Sequence, residues 1–250
     1  MKLAVSSTSF ADDLARGVLT QLEWLDLCAA ELEADGVVFE LRHFPRTDAD
    51  YLAQLKKMAV DLGLTVAGLA AGEVDLAAGA LPLALGLGAP LVVCEAPAAS
   101  EDPEAWGAFT DRLKTASTAA KAANVPLALR NKAGTLCPGG AELKRAAKDV
   151  DSSWVRFALD AASLAAVERS DALVAATILA VCEVADVEAF ARDGDPVATA
   201  LIEGLRGYRG FVVVDRTDSG GGRDALHNAL ERLQRALAEE RLHARRPAAP

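Results

Sequence analysis

The side chains of this 250-residue chain that could do chemistry cluster where short apolar runs end. FELRHF sets Glu40, Arg42 and His43 after one run, and LALRNK sets Arg130, Asn131 and Lys132 after another. FALD ends in Asp160, AVCEVAD carries Glu183 and Asp186, and FVVVDR closes with Asp215 and Arg216. Ser6, Ser7, Thr8, Glu95, Ser163 and Asp218 stand at comparable places. Carboxylates in such positions can take up and return protons or accept hydrogen bonds from a polyol. A guanidinium such as Arg130 can hold carboxylates in charge-assisted hydrogen bonds through its planar fork. Lys132 follows two residues later, on the same face of an extended strand. There it can bind an anionic group, act as a base or nucleophile, or simply pair with an acid in solvent. His43 has an ordinary pKa near 6.5 and is a candidate proton carrier; the plainer role for Glu40 and His43 is to hold their loop. Asp215 is the best candidate for a general base, although a carboxylate saturated by Arg130 would be a poor one.

Two other features offer less. The run DRTDSGGGRD presents consecutive backbone amides ahead of a helix, with Arg216 and Arg223 beside it, so it suits a phosphate or a flexible connector. The four cysteines, Cys28, Cys94, Cys137 and Cys182, are far apart and form neither a CxxC pair nor a zinc spacing. Cys94 and Cys182 lie in apolar runs, and Cys137 in GTLCPGG reads as a loop cysteine.

The elements that must position these residues alternate between β-branched or apolar runs and longer helical patterns. Eight strand candidates begin at Leu3, Gly36, Thr65, Pro90, Val125, Val155, Thr177 and Gly210, with starts 22 to 35 residues apart. That interval holds one strand and one helix. Helices are expected over Gln21–Leu32, Asp48–Leu62, Pro103–Asn124 and Ala141–Val150, with Asp48 and Pro103 as starts and Gly63 and Gly207 as stops. Eight such units predict a single-domain α/β fold, a (β/α)8 TIM barrel over 1–240 with a tail at 241–250. A doubly wound open sheet fits less well, because the first strand lacks the glycine fingerprint. In a barrel the strand C-termini form the ligand-binding mouth, so the residues named above converge.

Composition excludes several partners. The net charge is −10 and the pI near 4.9, with no basic stripe to neutralise phosphates, so nucleic acid is not expected. No apolar run of about 18 residues is free of charge, and the start MKLAVSSTSFADD turns polar too early for a signal peptide. A soluble, cytoplasmic protein without membrane partners is the expectation.

ADGVVFELRHFP, VPLALRNKAGTLCPGGAELKRAAKDV, the FALD strand end and GYRGFVVVD resemble the sugar phosphate isomerase/epimerase superfamily, xylose isomerase-like TIM barrels whose relatives include type-IV AP endonucleases. The resemblance implies a divalent metal held by a Glu ending strand five, an Asp ending strand six, a His ending strand seven and a Glu ending strand eight, the two glutamates often serving as acid and base. Carried over, these positions fall on Arg130, Asp160, Glu183 (Cys182 with a one-residue slip) and Asp215. Lys132 stands where the family often carries His, Ser163 where a second His is usual, and Asp186 matches a family Asp. Arg130 reverses a charge at the metal position. A guanidinium cannot ligate a cation and repels one, so Mn or Zn is disfavoured and no cofactor is expected.

The resemblance implies an isomerase or epimerase acting on a small sugar or sugar-acid carbonyl compound by proton transfer. Asp215 and Glu183 would exchange the proton, Lys132 or Arg130 would polarise the carbonyl, and Asp160, Glu40, His43 and Arg216 would help bind the ligand. The alternatives are an inactive family member that binds a small polar ligand or serves as an assembly subunit, and a metal enzyme with its ion displaced onto Asp160, Glu183 and Asp215. A homodimer is an expectation from the family. Type-IV endonuclease activity is disfavoured, since it needs several metals and a basic surface.

Overall fold

The computed structural model describes residues 2–160, 175–183, 208–215 and 222–244, with side chains at 2–160, 175–181, 208–215 and 223–235. Eight strands, β1 (Lys2–Ser6), β2 (Gly36–Glu40), β3 (Thr65–Glu73), β4 (Val92–Glu95), β5 (Leu127–Arg130), β6 (Val155–Asp160), β7 (Thr177–Glu183) and β8 (Phe211–Asp215), pair in parallel in sequence order. β8 returns to β1, closing a TIM barrel in one domain. All eight strands expected from the sequence are present.

The described helices between strands are α1 (Ala11–Ala15), α2 (Gln21–Ala30), α3 (Ala49–Asp61), α4 (Val74–Leu87), α5 (Ala105–Ala123) and α6 (Gly140–Val150). α7 (Gly222–Ala244) follows β8 and runs four residues past the boundary read at 240. Local chemistry sets their ends. Thr20 and Glu23 form a reciprocal capping box on α2, and the Asp48 side chain accepts the Tyr51 N–H at the start of α3. Gly63, with φ +74, takes the left-handed turn after α3. α5 begins at Ala105 rather than Pro103, because Pro103 and Glu104 lie in the turn before it. Gly207 lies outside the described residues.

Alternation along each strand divides the core in two. Leu3, Val5, Val37, Phe39, Leu127, Leu129, Val212 and Val214 face outward and pack with helix residues such as Trp24, Leu55 and Phe109. Ala4, Val38, Ala67, Val93, Ala128, Ala158, Val181 and Val213 fill the barrel interior. Small interior residues let the strands close tightly. Gly36 marks one close approach, since a Cβ there would lie 2.4 Å from the Thr65 carbonyl oxygen.

Candidate active site

The interior phase of each strand decides what the mouth contains. Val38, Val93, Ala128, Ala158 and Val213 lie inside the barrel, so Glu40, Glu95, Arg130, Asp160 and Asp215, each two residues later and last in its strand, take the same face. Four carboxylates and one guanidinium thus meet at the C-terminal end.

Arg130 is the hub. Its Nη1 lies 3.4 Å from Asp215 Oδ2 and 3.8 Å from Glu95 Oε1, and its Nη2 lies 3.6 Å from Asp160 Oδ2. The Asp215 contact is a hydrogen bond donated by the guanidinium. All four side chains are sheltered, Asp215 most deeply at 3% exposure. Burial alone would lower the Arg130 pKa, but Asp215, Asp160, Glu95 and Glu40 outweigh it and push it up. The Arg130 Nε–H is buried and meets no hydrogen-bond acceptor among the described residues. Asp160 is further fixed by its backbone N–H, which donates to Asn131 Oδ1 at 2.8 Å.

Lys132 takes the paired arrangement. Its Nζ donates to Glu95 Oε2 at 2.7 Å, and the side chain is half exposed. Glu95 therefore bridges Lys132 and Arg130. The sequence marked Glu95 only as a strand-end group, although adjacency of β4 and β5 was already implied by sequential strand order. The β4–β5 register places Glu95 beside Arg130.

Glu40 stands apart from this hub. Its carboxylate is 14% exposed, and Arg42 Nε lies 3.8 Å away from outside. Burial pushes its pKa up and Asp215 adds to the rise, against opposing pulls from Arg42, Thr8 and Arg130. Its N–H donates to Ser7 Oγ at 2.9 Å, and Ser7 Oγ shares a hydrogen bond of 3.0 Å with His43 Nδ1. Burial, helped by Arg42, lowers the His43 pKa to about 4. His43 is therefore neutral near pH 7, and its geometry anchors the loop after β2.

β7–β8 pairing sets Glu183 beside Asp215 and Cys182 beside Val214; the side chains of Glu183 and Cys182 lie outside those described. Ser163, Asp186, Arg216 and Asp218 also fall outside the described residues. Arg223, considered for a phosphate, reaches Glu31 Oε2 at 3.4 Å. Cys137 is fully buried, and burial pushes its thiol up to about 12. Among the described residues no group of three or more His, Cys, Asp and Glu is arranged to hold a metal ion, and no helix is long and apolar enough to cross a membrane.

A family model described as Xylose isomerase-like TIM barrel matches residues 28–236. Similar solved structures include the apo form of 3-keto-D-glucoside 4-epimerase YcjR from E. coli, 16% identical with a TM-score of 0.72, covering 94% of this chain and 99% of that one. D-psicose 3-epimerase with D-tagatose from Clostridium cellulolyticum H10 is 16% identical with a TM-score of 0.71, covering 97% and 99%. L-ribulose 3-epimerase is 17% identical with a TM-score of 0.73, covering 99% of each chain. At these identities the likeness is one of fold. No curated protein matches the chain.

Proposed function

The chain belongs to the xylose isomerase-like TIM barrel family, and from that membership we propose that it is a sugar isomerase or epimerase-like protein that moves a proton beside a carbonyl without a divalent metal. The observation that carries this is Arg130, whose guanidinium faces Glu95, Asp160 and Asp215 at 3.4–3.8 Å. A divalent ion about 4 Å from that guanidinium would be repelled by about 8 kcal/mol at an effective dielectric near 20. The donor set therefore does not fit the cation that the resemblance implies. Arg130 supplies positive charge beside these three sheltered carboxylates.

In this reading Asp215 takes a proton from the carbon beside the carbonyl, and Glu183, its neighbour in register, returns one. Arg130 and Lys132 supply the positive field toward the carbonyl oxygen. The epimerase activities of the similar folds make free ketoses the first substrates to test. Incubation with D-fructose, D-tagatose and D-psicose in deuterated buffer should exchange a substrate C–H for deuterium, and Asp215→Ala should abolish it. Exchange that persists in Asp215→Ala overturns the assignment.

One contact favours a second reading. Asp215 is nearly inaccessible and committed to Arg130, which suits a protein that has kept a small polar ligand site and lost proton transfer. Ligand binding without exchange would establish that reading.

A further inference from the structure

Resting on the proton-transfer reading, we propose that Glu40 is the general acid of the mouth, a neutral carboxylic acid whose O–H donates to the substrate carbonyl oxygen while the neighbouring carbon loses its proton. The reaction needs a group to deliver a proton to that oxygen. Arg130 can stabilise charge but cannot release a proton, because three carboxylates surround its guanidinium. Lys132 is tied to Glu95 at 2.7 Å, and the His43 ring is engaged with Ser7. Glu40 remains. It ends β2 on the interior face, sheltered and outside the direct contacts of Arg130.

The surroundings of Glu40 set its proton affinity. Arg42 on its own segment, Thr8 after β1 and Arg130 on β5 favour the ionised form, while Asp215 on β8 opposes it. β3 offers Ala70 opposite in register, which carries no charge. Desolvation outweighs the rest, so the carboxyl holds its proton to higher pH than an ordinary glutamate. Asp215 instead accepts the hydrogen bond of the Arg130 guanidinium, which favours its charged form. Two carboxyls in one mouth are thereby driven toward opposite roles.

The step balances. The C–H proton goes to the Asp215 carboxylate, and the C–H electron pair forms the C=C bond of an enediol. The carbonyl π pair moves to oxygen, which takes the Glu40 proton. Glu183 then gives a proton to the enediol carbon as the enediol O–H returns its proton to Glu40. Asp215 releases its proton and Glu183 regains one by exchange with solvent before the next turnover, so no carboxyl is consumed. With Glu40 protonated, Arg42, Arg130 and Lys132 match Glu95, Asp160 and Asp215 among the described side chains. Glu183 beside Asp215 adds a further acid, so the mouth suits an uncharged sugar over a phosphate or acid.

The test reads the Glu40 carboxyl directly. Carbon-13 NMR of glutamate-labelled wild type against Glu40→Gln should reveal one carboxyl titrating above the ordinary glutamate range, near 4.3. Deuterium exchange into D-fructose should lose about 100-fold in kcat in Glu40→Gln with KM within about twofold, and Glu40→Asp should recover part of the rate. Because the acid must be protonated, wild-type activity should fall as pH rises through the Glu40 pKa, and this limb should vanish in Glu40→Gln. A Glu40 carboxyl that titrates near 4.3, or a variant with wild-type rate and profile, overturns the inference. A raised Glu40 in a wild type that shows no exchange overturns the proton-transfer reading instead.

Discussion

Arg130→Met removes the positive charge around which the mouth is built, and its cost can be worked from the contacts. At 3.4, 3.6 and 3.8 Å and an effective dielectric near 20, each attraction is between about 4 and 5 kcal/mol before desolvation. Placing the guanidinium in the barrel offsets several kcal/mol of that sum. The variant loses the attraction but keeps Asp160 and Asp215 sheltered at 12% and 3% exposure. Removal of one partner from a buried pair costs about 3 to 5 kcal/mol, or a Tm lower by roughly 6 to 20 °C in a chain of this size. The sign of the pH dependence follows from proton binding. Uncompensated carboxylates bind protons more readily folded than unfolded, so the variant regains stability as pH falls and the deficit is larger at pH 7 than at pH 5. Urea unfolding followed by circular dichroism at both pH values measures this. A loss below about 1 kcal/mol at pH 7, or one that does not change with pH, would refute the reasoning.

His43, with a pKa lowered to about 4, contributes stability that is present above its unfolded value near 6.5 and lost as pH falls toward 4. Its ring-proton NMR signal, identified with His43→Gln, should show no titration between pH 8 and 6; a midpoint near 6.5 contradicts its burial. Cys28, Cys94 and Cys137 are buried, and their thiols are pushed up by desolvation, Cys94 and Cys137 to about 12. They should react with iodoacetamide more than about 100-fold slower in native than in unfolded protein, and rapid native labelling of any of them, mapped by peptide mass spectrometry, would show an open core. Gly36→Ala would drive a Cβ against the Thr65 carbonyl at 2.4 Å. A destabilisation of about 1 to 3 kcal/mol is expected by urea titration, and a neutral effect would mean the β2–β3 approach is looser than described.

The strands were legible because their apolar runs and spacing repeat, and a closed barrel follows from eight such units. α4 gave no helical period to read, since Val74–Leu87 is apolar on nearly every side and carries Pro82 within it. The end of β3 was also hidden. TVAGLA reads as a strand to Ala70, but the strand continues to Glu73 through a register shift at Gly72, whose φ of +83 suits glycine. At the site, the charge reversal at Arg130 came from the family resemblance, which left Asp160, Glu183 or Asp215 as partners for its guanidinium. Asp160 and Asp215 lie against it, and the Glu183 side chain lies outside those described. Glu95 needed one more step, the adjacency of β4 and β5. The isolation of Glu40 from the Arg130 hub and the neutral state of His43 depend on burial and side-chain direction, which no local pattern encodes.

The central claim is that a guanidinium stands in the cation's place. Elemental mass spectrometry of wild type and Arg130→Glu, both purified without chelator or metal-affinity tag and equilibrated with equal Mn and Zn, tests it most directly. The account predicts a wild type without stoichiometric metal and a variant that gains one ion per chain. One ion per chain already bound to the wild type would contradict it.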